Sequence, residues 1–94
     1  MPETLWRLGT SRESAARLAR KAAEAEHVIG IHGVSVSAAV PSVPASSAER
    51  AQVEPVFPVH DTPTRNDPLH RTVELPKPVT PEVAGTFNRL FGRR

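Results

Sequence analysis

The side chains able to do chemistry are scattered along this 94-residue chain. Histidines stand at positions 27, 32, 60 and 70, and there is no cysteine. No two of these histidines have the i, i+3 or i, i+4 spacing that sets a pair on one helix face, so no metal site is expected. Ser35 lacks the Gly-x-Ser-x-Gly elbow that presents a nucleophile on a strained turn, which argues against triad hydrolysis. The two common glycine-rich phosphate cradles are absent as well. What remains is a dispersed polar set: Arg7 beside Trp6, then His32-Gly33-Val34-Ser35-Val36-Ser37, then His70-Arg71-Thr72-Val73-Glu74. A guanidinium suits phosphate, serine hydroxyls suit a ribose, and a carboxylate stabilises an oxocarbenium-like transition state. Those are the needs of a pocket that cleaves a dinucleotide at its glycosidic bond.

The order aromatic-Arg, Ser-x-Ser, Glu resembles the ADP-ribosyltransferase pattern. It is more closely similar to small bacterial toxin effectors of type VI secretion whose fold is ADP-ribosyltransferase-like. Leu5-Trp6-Arg7 matches the Leu-aromatic-Arg of the first strand in those toxins. His70-Arg71-Thr72, with Pro76-Lys77-Pro78 after it, matches their late His-x-Thr strand and its Pro/Lys cluster. Two departures stand out: Val36 occupies the middle of the usual Ser-Thr-Ser, and Glu74 is a single glutamate in place of a Glu-x-Glu pair. The resemblance implies NAD as substrate, with Arg7 on its phosphates, Ser35 and Ser37 on the nicotinamide ribose, and Glu74 stabilising the transition state. Arg7 and Glu74 are then the catalytic pair, and His32, His70 and Thr72 are further contacts to NAD. It also implies transfer of ADP-ribose or hydrolysis of the dinucleotide, a neutralising immunity or antitoxin partner, and delivery into a target cell without a cleavable signal peptide.

Each of these residues also has a plainer reading. Arg7 is equally an exposed strand arginine stacked on Trp6 or paired with a carboxylate, and in that case its replacement by alanine leaves the fold intact. Ser35 and Ser37 read as the solvent face of an amphipathic strand, and Glu74 as a cross-strand partner of an arginine. His32 and His70 read as hydrogen-bonded structural residues. The alternative function is a non-enzymatic interaction module, such as the partner-binding component of a toxin–antitoxin pair.

The elements that must position this set follow from pattern. Thr4 to Gly9 is rich in strand formers. Thr10-Ser11-Arg12-Glu13 reads as a capping box opening a helix from about Ser11 to Glu26, with Ala15, Leu18, Ala19, Ala22 and Ala23 on one face. Val28 to Ala39 alternates as a strand or two, with Gly30 or Gly33 at a bulge or close approach. Val40 to Ser47 reads as a loop, and Ser46 or Ser47 as the cap of a short helical turn over Ala48 to Val53. Pro55 to Thr62 reads as an extended edge, residues 64–68 as a turn, and His70 to Leu75 as a strand with Arg71, Val73 and Leu75 on one face. Thr80-Pro81-Glu82 opens a last helix with Val83, Phe87, Leu90 and Phe91 as its stripe and Gly92 as its C-cap.

This order predicts a single α+β domain over residues 1–94, with a Pro-rich irregular middle at about 41–68. A small, mostly antiparallel sheet is covered by an N-terminal Ala-rich helix and a C-terminal amphipathic helix. Nine of the ten prolines lie between Pro41 and Pro81. No apolar run approaches the roughly 18 residues that cross a bilayer, and no signal peptide is visible, so a cytoplasmic protein is expected. Net charge is only +2, although ten of the twelve cations are arginine. That balance, with no aromatic residues interleaved among basic ones, argues against nucleic acid and for a discrete anionic ligand.

Overall fold

Alternation along the first strand already dictates which way its side chains go. In the computed structural model, which describes residues 2–92, β1 (Thr4–Leu8) buries Leu5 and Arg7 and turns Trp6 and Leu8 to the other face. Then come α1 (Ala15–Ile29), β2 (Gly33–Ser37), β3 (Ala45–Glu49), α2 (Arg50–Val53), β4 (Val59–Asp61), β5 (His70–Glu74) and α3 (Pro81–Leu90). The five strands form one antiparallel sheet in the order β3-β1-β2-β5-β4. With its N-terminal and C-terminal helices this is an α+β fold. Leu5, Val34, Val36, Ala48 and Val73 share one sheet face and form the core with Leu18 and Ala22 of α1 and Ala84 and Phe87 of α3.

Several boundaries differ from the sequence expectation. The helix does not start at a Thr10–Glu13 capping box. Ser14 is its N-cap, with Oγ accepting from Arg17 N at 3.1 Å, because Glu13 is turned inward to meet three cations. The helix also runs past Glu26 through Val28 and Ile29, whose β-branched side chains favour a strand. Once nucleated, a helix gains one hydrogen bond per added residue, and the β-branched cost of about 0.5 kcal/mol does not stop it. Gly30 does: it adopts a left-handed conformation (φ 78°) and its N–H closes on Glu26 O at 2.9 Å. Gly33 has a different role, since a Cβ there would collide with the Val73 carbonyl, so only glycine lets β2 approach β5.

The expected loop before Ala48 contains a strand. Ala45–Glu49 has weak strand propensity, yet it pairs with β1 along five consecutive positions from Thr4↔Glu49 to Leu8↔Ala45. Ser46 and Ser47 are therefore strand residues, and Glu49 precedes α2 without a side-chain cap. The proline-rich stretch thus carries β3, α2 and the edge strand β4. In α3, Thr80 caps the N-terminus through Val83 N at 3.2 Å and Pro81 takes the first turn, as the sequence predicts. Its C-cap is Phe91, one residue before Gly92, because the Phe91 ring is buried against Phe87 with ring centroids 4.9 Å apart.

Candidate functional site

Strands β1 and β2 touch at one register position, Trp6↔Ser37, and then diverge. β2 meanwhile stays paired with β5 along its whole length. Ala38 N and His32 O bond to Leu69 and Leu75 on that side. By the alternation of a strand, Gly33 and Ser35 must direct their N–H and C=O the other way, into the gap, where no protein group among the described residues meets them. The gap opens into a cavity of about 720 Å³ between β1, β2 and the C-terminal half of α1. Its size falls within the roughly 300–1,000 Å³ of small-molecule sites.

Four of the sequence-selected residues line this cavity: Arg7, Ser35, Ser37 and His70. Trp6, Val28, Ile29 and Val40 supply apolar wall, Lys21 adds a cation, and Glu24 and Asp67 add carboxylates. His32, Thr72 and Glu74 are not in the wall. His32 donates from Nδ1 to Leu75 O at 2.9 Å, and Thr72 is fully buried with its hydroxyl 2.9 Å from that of Thr62. His70 donates from Nδ1 to Thr62 O at 2.9 Å. Glu74 stands directly opposite Gly33 and on the same sheet face as Ser35 and Thr72, so it sits beside the cavity margin. Its partner is His60 Nε2 at 2.7 Å, and not an arginine.

Arg7 is not the exposed strand arginine of the plainer reading: it is 7% exposed and on the core side of β1. Nη1 donates to Glu13 Oε2 at 2.9 Å and Nη2 to Ser11 O at 2.8 Å and Ser46 Oγ at 3.2 Å, while the guanidinium lies 6.0 Å from the Phe87 ring centroid. Glu13 in turn accepts from Arg17 at 3.1 Å and Lys21 at 2.9 Å. Burial raises the Glu13 pKa, but Lys21, Arg17 and Arg7 together outweigh it and hold the carboxyl below its ordinary value. Burial pushes the Arg7 guanidinium down, with Glu13 opposing. Asn88 of α3 locks the corner, accepting from Glu13 N and donating to Glu13 O, both at 2.8 Å. Trp6 Nε1 and Arg7 Nε are buried with no hydrogen-bond partner among the described residues.

No family model, curated protein or solved structure matches this chain. The site must be read from its own geometry. Three cations around one carboxylate leave positive charge at the Arg7–Lys21 end of the cavity. The free edge at Gly33 and Ser35 offers a donor and an acceptor side by side, the pattern that a primary amide or a strand matches. Sequence reasoning missed Glu13, Lys21, Asn88 and His60. Glu13 carries a local signal, the i, i+4 acid–base spacing to Arg17, but Asn88 and His60 join the site only through long-range packing. Among the described residues no helix is long and apolar enough to cross a membrane.

Proposed function

We propose that this chain is a bacterial toxin domain of the ADP-ribosyltransferase-like kind, which holds NAD in the gap between β1 and β2 and breaks its glycosidic bond, passing ADP-ribose to an acceptor or to water. The divergence of β1 from β2 carries this reading. What supports it is an open Gly33 and Ser35 main chain for a carboxamide, Ser35 and Ser37 in the same wall for a ribose, and, on the core side of the gap, the net positive Arg7–Lys21–Glu13 cluster as the charge a pyrophosphate would meet. Glu74, directly opposite Gly33 and beside the cavity, is the carboxylate this reading assigns to a developing oxocarbenium ion. A calorimetric titration with NAD, paired with a consumption assay, tests it. The wild type should bind and consume NAD, and Ser35→Trp, which fills the wall from an exposed position, should do neither while melting normally. A wild type that neither binds nor consumes NAD overturns the proposal.

One observation favours the interaction module instead. Leu8, Val28 and Val40 are more than two-thirds exposed around the same gap (68%, 77% and 77%), an apolar rim of the kind that partner proteins cover. A silent NAD titration combined with loss of partner binding on Val28→Lys would move the assignment to that reading.

A further inference from the structure

On the sheet face that carries Ser35, Thr72 and Glu74, the polar residues stand in rows set by strand register. Ser35, Thr72 and His60 are one row across β2, β5 and β4, and Gly33 and Glu74 belong to the next. The diagonal step from His60 to Glu74 is within reach of two long side chains on neighbouring strands. β4 is fixed there by Glu74 N, which donates to Pro58 O at 2.8 Å. The Glu74 side chain is 46% exposed, so packing alone does not hold its carboxylate. Gly33, directly opposite, has no side chain to offer, and the Thr72 hydroxyl is taken by Thr62. Among the described residues His60 is the one side chain bonded to Glu74, through Nε2 and Oε1 at 2.7 Å, which leaves Oε2 without a protein partner.

We propose that His60 is a positioning residue for Glu74, donating from Nε2–H to Oε1 so that the carboxylate is held in one orientation with Oε2 free for the substrate. The inference rests on the NAD reading above and adds to it a residue from the edge strand. A carboxylate that must stabilise charge in a transition state loses effect if it swings, because orientation held in advance costs nothing at the moment of reaction. An ionised carboxylate only accepts, so the arrangement requires the Nε2–H tautomer of a neutral imidazole or its protonated form.

NAD-consumption kinetics on the wild type, His60→Leu and His60→Gln test it, since glutamine keeps a donor near the Nε2 position. His60→Leu should lower kcat about tenfold with KM for NAD within about twofold, and His60→Gln should recover kcat to within about threefold of wild type. Imidazole ¹⁵N signals of the substrate-free protein should show His60 with its proton on Nε2, and Glu74→Gln should change them. Equal kcat in wild type and His60→Leu, an equal fall in both variants, or a proton resident on Nδ1 alone would each overturn the positioning role while leaving the NAD reading intact. A wild type that consumes no NAD overturns both, and is recognised before any variant is compared.

Discussion

Arg7 shows how far burial changes what a residue does. Its guanidinium joins β1, the chain entering α1 and β3 through Glu13, Ser11 and Ser46. Removing one partner of a buried pair costs about 3–5 kcal/mol when the other is left alone, and Glu13 keeps Arg17 and Lys21, so Arg7→Ala should cost about 2–3 kcal/mol. Thermal melts should therefore fall by about 10 °C or more, contrary to the behaviour of an exposed arginine. Loss of activity in that variant reports on folding as well as on phosphate binding. Glu13 gives a separate test by pH. Its carboxyl is held below its ordinary value, so it contributes stability that is complete above the ordinary carboxylate range and is lost as pH falls through the lowered value. Melting temperature measured from about pH 6 down to about pH 3 should fall less steeply in Glu13→Gln than in wild type. A slope remains in the variant from Glu3, whose pKa is lowered chiefly by its hydrogen bond to Arg50 and further by Arg71.

At the scale of elements, the two long helices start on hydroxyl caps, and only one of those caps is where local sequence puts it. Ser14→Ala should destabilise by about 1 kcal/mol, whereas Thr10→Ala, outside the helix, should be nearly neutral. Chemical denaturation of the two variants side by side checks this, and the reverse result would restore the Thr10 capping box. The C-terminal helix depends on burial more than on its cap. Phe87 is fully buried in the core with the Phe91 ring stacked on it, so Phe87→Ala should cost about 3–5 kcal/mol through lost transfer energy and a cavity. In a domain whose total is of order 5–15 kcal/mol, that is enough to broaden or abolish the thermal transition.

For the whole molecule, the decisive feature is a sheet that is continuous at one corner and open beside it. A ligand in the gap bridges β1 to β2 and α1, so it binds the folded state and not the unfolded chain. NAD at about 100 times its dissociation constant should then add about 2.7 kcal/mol and raise the melting temperature by about 10–20 °C. Glu74→Gln should show nearly the same rise, since the amide keeps the shape of the carboxylate, while losing NAD turnover with the negative charge. A melt indifferent to NAD would place the dinucleotide elsewhere or nowhere.

The amino-acid sequence by itself determined what depends on neighbours within a few residues. Alternation in His70-Arg71-Thr72-Val73-Glu74 set both faces of β5, and the Thr80-Pro81 start with Phe87 in the apolar stripe set α3, because pleat and helix period are local. Where long-range partners compete with local preference, only the tertiary structure decided. Ala45–Glu49 is a strand because β1 offers it five paired positions, and Glu13 leaves its capping box because Arg7, Arg17 and Lys21 attract its carboxylate more strongly than one backbone N–H does. The candidate site follows the same division. Ser35 and Ser37 are legible as one polar face of a strand, but that β1 parts from β2 beside them, and that His60 reaches Glu74, depends on packing between elements far apart in the chain.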